Sequence, residues 1–493
     1  MGMPAASATE ERRLRRGLKS RHLQMIAIGG AIGTGLFLGS GGTISQAGPG
    51  GALLAYAAIG IMVLFVMQSL GEMSTHLPVA GSFHTYGTKY VSPSFGFAMG
   101  WNYWFNWAIT LAAELVAAGV IMSFWFPDVP SWIWAAVFLI LLAGLNFLSA
   151  KAFGEGEFWF AAIKVTAVLA FLVLGVLMIF GILGGTSPGM SNWTTGEAPF
   201  VGGWMSVISV FMIAGFSFQG TELVGVTAGE SENPRKDMPR AIRTVFWRIM
   251  LFYIGAIAVI GFLLPYTDPS LLASANNEDI TASPFTLVFE RAGIAVAAGM
   301  MNAVILTAIL SAGNSGLYAS TRMLYAMAKE GTAPRLFARL NERGVPVMAL
   351  LATAMIGLFG FLTEIMGDGG AYTWLMNVSG LSGFIVWVGI AWCHFRFRRA
   401  YVRQGHAVAN LPYRAPLFPI GPVIALIMLI VVIIGQNVQA IVNGQLLQVA
   451  SAYAGLPAFL LLWIIHRIVT GRRSRMVALD DMEIGRASCR ERV

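Results

Sequence analysis

The sequence predicts an all-α polytopic membrane protein of about 12 transmembrane helices, and three observations carry that expectation. Hydrophobic residues make up 56% of the 493 positions and charged residues only 11%, against roughly 25% charged in a soluble domain. Mean hydropathy is +0.70, more apolar surface than one water-facing core can hide, so lipid must solvate much of it. Apolar segments of about 20 residues also recur from end to end.

Taken in order, a polar, basic cytoplasmic tail over 1–22 opens the chain without the apolar run and cleavage site of a signal peptide. Spans are expected at 23–47, 51–74, 97–126, 131–149, 157–184 and 204–226. Six more are expected at 244–266, 292–327, 346–367, 372–395, 416–441 and 449–470. The stretch from Pro78 to Ser94, with Gly81, Tyr86 and Gly87, is too polar for a clean span and reads as a cytoplasmic interfacial or re-entrant piece. Residues 471–484 form a cytoplasmic C-terminal tail, and 485–493 break the style of the chain and read as a cloning scar.

Basic residues orient the spans. Arg12, Arg13, Arg15, Arg16, Lys19 and Arg21 crowd the N-terminal tail. Lys89, Lys151, the Arg235–Arg243 cluster, Lys329 to Arg343 and Arg396 to Arg414 fall in every second loop. The intervening loops Pro127–Pro130, Gly185–Gly203 and Asn443–Gln448 hold no Lys or Arg. That bias places both termini in the cytoplasm. It also assigns the net charge of +8 to topology rather than to nucleic-acid binding. Cys393 and Cys489 supply neither a disulfide framework nor a metal site.

Two spans are interrupted alike. The first reads Ile28-Gly29-Gly30-Ala31-Ile32-Gly33-Thr34-Gly35-Leu36-Phe37, and the sixth reads Ala214-Gly215-Phe216-Ser217-Phe218-Gln219-Gly220-Thr221-Glu222. They hold equivalent places if the first ten helices form two repeats of five, and paired broken helices point to a transporter site. Amide groups freed at a half-helix start favour a carboxylate, and unwound carbonyls accept from an ammonium group. An α-amino acid carries both. The competing reading is that these glycines serve close helix packing.

Charge inside the spans is the second pointer, since a buried charge at membrane depth costs roughly 2.5–3.5 kcal/mol on insertion scales. Glu72, Glu114, Lys164, Glu222 and Glu230 qualify. A desolvated lysine can exchange a proton near neutral pH, with Glu222 or Glu230 as its counterpart; a static Lys–Glu pair fixing helix register is the alternative. Tyr103 and Trp107 share a helix face that could close over a cationic head. Phe216 sits where a gate would sit. Ser311, Asn314, Ser315, Asn377 and Ser379 are candidates to line the same cavity. Nothing resembles a nucleophile–base pair, a metal cluster or a phosphate loop, so neither an enzyme nor a cofactor is expected; nor does a repeated selectivity ring suggest a channel.

The run Arg21-His22-Leu23, Ile26 to Gly30, Ile32 to Phe37 and Gly48-Pro49-Gly50-Gly51 resembles bacterial amino acid permeases of the amino acid–polyamine–organocation superfamily. Gly100 to Trp104, Ile163-Lys164-Val165, Phe216 to Leu223, Ala228 to Ser231 and Asn233-Pro234 extend the resemblance over about residues 15–475. Less general stretches, Ser191 to Thr194, Gly196 to Phe200, Pro265 to Leu272 and Ser283 to Phe289, resemble lysine-transporting members most.

The resemblance implies a LeuT-type five-plus-five inverted repeat, with repeats over 23–184 and 204–395 and helices 11–12 over 416–470. It implies proton-coupled uptake of L-lysine across the bacterial inner membrane. Substrate contacts would come from Gly33, Thr34, Gly35, Tyr103, Trp107, Glu114, Phe216, Ser217 and Glu222, and proton coupling from Lys164, Glu222 and Glu230. Lys164 would stand where sodium-coupled relatives hold a cation. An aromatic or neutral amino acid permease and a non-transporting amino acid sensor stay open as alternatives.

Overall fold

Glycine and proline decide where the apolar helices bend and stop. In the computed structural model, residues 19–29, 32–79, 81–148, 150–185, 187–275 and 283–484 are described. The expected N-terminal tail up to residue 18 and the stretch 485–493 lie outside the described residues, as do Gly30 and Ala31 of the first interrupted motif.

The chain is helical throughout its core. The Gly39–His76 helix bends at Gly48, whose φ of +76° only glycine adopts cheaply, and Pro49 then withholds an amide. The two amides beyond the bend are not wasted: Gly50 and Gly51 donate to Pro199 O at 2.9 and 3.2 Å. The spans expected at 23–47 and 51–74 meet at this kink. Gly367, with φ +72°, likewise bends the Thr363–Arg403 helix near the boundary expected between 346–367 and 372–395.

Seven described helices are long and apolar enough to cross a membrane, and Ser131–Asn146 and Ile420–Gly435 are shorter apolar ones. The most enclosed is Pro93–Met122. Its start is fixed by Pro93 at the first turn and by Ser92 Oγ, which accepts from Phe95 N at 3.2 Å. It packs against Ala295–Lys329, Thr363–Arg403, Ser82–Tyr90 and Ser131–Asn146. A helix apolar on all sides needs such a setting. The Ala150–Ile179 helix instead turns Trp159, Ile163, Val173 and Val176 outward, and Ile420–Gly435 exposes Ile427, Ile430 and Ile434. Outward apolar side chains beside an equally apolar core describe a polytopic membrane protein with lipid as its outer solvent.

The polar stretch Pro78–Ser94, expected as an interfacial or re-entrant piece, forms the Ser82–Tyr90 helix, packed against Pro93–Met122. Its polarity is spent internally. Ser82 Oγ donates to Gly225 O at 2.5 Å, Tyr86 OH donates to Leu77 O at 2.8 Å, and His84 Nδ1 lies 2.8 Å from Gly96 O. The C-terminal tail crosses the same end of the bundle: Val477 N donates to Val91 O at 2.9 Å, and Gln404 Nε2 donates to Met482 O at 2.9 Å.

Candidate functional site

The first span is cut at Gly33, which is extended (φ −137°, ψ −150°) and caps the short Thr34–Phe37 helix. The sixth is cut where the Phe211–Phe218 helix meets extended Gln219 and left-handed Gly220 (φ +92°) before Leu223–Thr227 resumes. The two breaks meet. A Cβ added to Gly35 would lie 2.6 Å from Ser217 Cα, and one added to Gly33 would lie 2.8 Å from Glu114 Oε1. Thr34 Oγ1 donates to Glu114 Oε1 at 3.2 Å, which ties the first break to the Pro93–Met122 helix. Ser217 is held from two sides: its Oγ lies 3.0 Å from Tyr56 OH, and its carbonyl accepts from Tyr253 OH at 2.8 Å.

Between the breaks lies a cavity of about 20 Å³, lined by Gly33, Gly35, Trp107, Thr110, Glu114, Phe216, Gln219 and Ala312. That is room for about one water, too little for an amino acid. The buried polar atoms nearby exceed their partners. Tyr103 OH, Asn106 Nδ2, Trp107 Nε1, Glu114 Oε2 and Tyr372 OH have no hydrogen-bond partner among the described residues. Buried polar groups in a native interior are normally paired, so these atoms retain capacity for a polar partner. Tyr103 and Trp107 meet edge to face with ring centroids 6.5 Å apart.

Lys164 is fully buried. Its Nζ donates to Ile32 O, a carbonyl released by the first break, at 3.2 Å, and to Ser311 Oγ at 2.8 Å. The carboxylates facing it are Glu157, 3.8 Å away on its own helix, and Glu114. Glu222, expected as its counterpart, sits elsewhere: its Oε2 accepts from Trp387 Nε1 at 3.1 Å and Gly220 N at 3.2 Å, and Arg248 faces it. Glu230 ends a short 3₁₀ turn, Ala228–Glu230, and its side chain lies outside the described residues.

Of the residues expected to touch substrate, the structure therefore brings Gly33, Gly35, Trp107, Glu114 and Phe216 to one cavity. Thr34 and Ser217 adjoin lining residues along the chain, Tyr103 meets the lining Trp107, and Glu222 follows the second break. Residues missed by the sequence reading include Glu157, Arg248, Asn106, Tyr372 and Trp387. Glu157 carried a usable signal, a carboxylate seven positions before Lys164 and so on the same helix face. Glu72, at the far end of its span, belongs to a different cluster: it accepts from Arg398 Nε and from Ala415 N at 2.7 Å, with His394 Nε2 at 3.2 Å. Among the described residues no group of three or more His, Cys, Asp or Glu could hold a metal ion.

Known proteins match this sequence over almost its whole length. The amino acid permease family matches residues 22–479. A lysine-specific permease of Escherichia coli strain K12 is 58% identical over 466 residues, which cover 94% of this chain and 95% of the relative. A lysine-specific permease of Lactococcus lactis is 51% identical, covering 98% of this chain and 95% of the relative. A histidine permease of the same organism is 48% identical, covering 97% and 99%.

Proposed function

Because this chain belongs to the amino acid permease family, transporters rather than enzymes, we propose that it takes up L-lysine together with protons by alternating access. The observation that carries the reading is the small cavity where the two broken spans meet beside Glu114, whose second carboxylate oxygen has no partner among the described residues. Resemblance to two lysine-specific permeases over nearly the whole chain supports lysine as substrate.

On this reading the amides and carbonyls of Gly33, Thr34, Gly35 and Ser217 hold the α-carboxylate and α-amine. The side chain runs along Trp107 and Tyr103 under Phe216, and Glu114 receives the ε-ammonium. Lys164 carries the proton step, and Glu222 and Glu230 belong to the coupling path. About 12 spans, a five-plus-five repeat, cytoplasmic termini and residence in the bacterial inner membrane complete the proposal. A cavity large enough for one water leaves no room for lysine, so transport requires the breaks to part.

The test is uptake of radiolabelled lysine into proteoliposomes, challenged with excess arginine, ornithine, histidine, phenylalanine and tryptophan. Lysine uptake that resists the aromatic competitors supports the assignment. Uptake of phenylalanine or histidine in preference to lysine overturns the substrate and leaves the fold standing. Saturable lysine binding without accumulation identifies a sensor.

A further inference from the structure

The role given to Lys164 leaves its proton without a destination, and the residues packed around it supply one. Glu157 lies seven positions earlier on the Ala150–Ile179 helix, about 10 Å nearer its start along the axis. Both side chains are fully enclosed (0% exposed), with Nζ 3.8 Å from Oε1. Ser311, from the Ala295–Lys329 helix, stands between them and makes both shorter contacts. Nζ donates to Ser311 Oγ at 2.8 Å, and that hydroxyl donates to Glu157 Oε1 at 2.6 Å.

A static ion pair would place the charged groups in direct contact, because only close geometry repays the desolvation of two buried charges. Here the direct approach is the longest of the three distances and a hydroxyl bridges it. A chain N–H···O–H···O is the geometry in which a hydroxyl accepts one proton while releasing its own. The charged groups facing Lys164 are Glu157, Glu114 and Arg248, and Ser311, Asn314 and Ser315 face the Glu157 carboxyl. Glu157 Oε2 makes no hydrogen bond of normal geometry among the described residues, with Asn314 and Ser315 beside the carboxyl.

We propose that Glu157 is the proton acceptor of Lys164, reached through Ser311, and that this three-residue relay draws the coupling proton away from the substrate site. The inference rests on the proton-coupled reading above. In the step, one N–H bond at Nζ breaks as an O–H bond forms at Ser311 Oγ, and the original Ser311 O–H breaks as one forms at Glu157 Oε1. A charged pair becomes a neutral pair with no change in net charge, the form that a buried setting favours. Because Nζ also donates to Ile32 O at 3.2 Å, loss of its charge weakens a tie to the first broken span and links protonation to the substrate cavity.

The experiment compares wild type, Glu157→Gln, Glu157→Asp and Ser311→Ala in proteoliposomes. It reads lysine accumulation under an inward proton gradient and gradient-free lysine counterflow between about pH 5 and 8. A one-proton carrier at zero potential concentrates its solute about tenfold per pH unit. The relay predicts that Glu157→Gln and Ser311→Ala lose that accumulation and that their residual counterflow has a flattened pH profile, while Glu157→Asp keeps the wild-type profile. Wild-type accumulation and pH profile in both Glu157→Gln and Ser311→Ala overturn the relay and leave proton coupling intact. If Glu157→Gln does not fold, Ser311→Ala, which retains both charges, decides alone. A wild type indifferent to the gradient overturns proton coupling itself, and the relay with it.

Discussion

Replacing Gly35 by alanine should wedge the two broken spans apart. The added Cβ would sit 2.6 Å from Ser217 Cα, 2.8 Å from Ser217 N and 3.0 Å from Phe216 Cδ1. The nearest two obstacles are backbone atoms, so no side-chain rotation relieves the clash, and Ser217 is itself pinned by Tyr56 and Tyr253. Overpacking of this kind costs about 1–3 kcal/mol, partly offset because alanine gains up to about 1 kcal/mol over glycine in a helix. If the lysine-bound arrangement keeps Gly35 packed on Ser217 while the rest of the cavity widens, a net cost of about 1–2 kcal/mol raises the apparent dissociation constant roughly 5- to 30-fold. Gly144→Ala is the matched control, since its Cβ would meet nothing within 4 Å; it should hold or gain stability by about 0.4–1 kcal/mol. Radiolabelled lysine binding to purified protein, with thermal unfolding in detergent alongside, reads both quantities. Wild-type affinity and transport in Gly35→Ala would refute the claim that contact between the breaks forms the site.

Glu114→Gln keeps the shape of the side chain but removes its charge, and a hydrogen bond to a charged group contributes about 1.5–3 kcal/mol. Lysine affinity should fall about 10- to 150-fold in competition binding, with uncharged analogues affected less. Glu72→Ala leaves Arg398 buried without its carboxylate; breaking such a pair costs about 3–5 kcal/mol, to be seen as a large drop in thermal midpoint. At the end of the Ala295–Lys329 helix, burial pushes the Glu330 carboxyl up, but hydrogen bonding and charge from His84, with Thr85, outweigh it and hold the group below its ordinary value. A carboxyl depressed in the folded state stabilises it above the ordinary carboxylate range, and that contribution is lost as pH falls through the folded value. Thermal midpoints of wild type and Glu330→Gln should therefore differ at neutral pH and converge on acidification.

The breaks in the first and sixth spans could be read from local chemistry, because glycine and polar residues clustered at membrane depth weaken a helix that lipid otherwise keeps whole. The burial of Glu114 and Lys164 was legible from their place in apolar segments. Partnership was not. Trp387 reaches Glu222 and Arg398 reaches Glu72 across the bundle, and no spacing along the chain announces contacts made only by tertiary packing. Glu157 was hidden by a boundary. Glu157 stood at the first residue of an expected span, whereas its helix starts at Ala150 and encloses it completely. Arg248 fell inside the span expected at 244–266 without being singled out, and the fold buries it against Thr221. In the Ser82–Tyr90 helix, the polarity that set this stretch apart is met by hydrogen bonds to Gly225 O and Leu77 O, partners that the local sequence does not announce.

The most direct test of the account is radiolabelled lysine uptake into proteoliposomes at zero membrane potential, with and without an inward gradient of about one pH unit, for wild type and Lys164→Ala. Coupled transport predicts that wild type concentrates lysine about tenfold over the external solution and that Lys164→Ala, folded and still able to bind lysine, only equilibrates it. Equal accumulation in the two proteins, or wild-type uptake indifferent to the gradient, would contradict the assignment of the proton to Lys164.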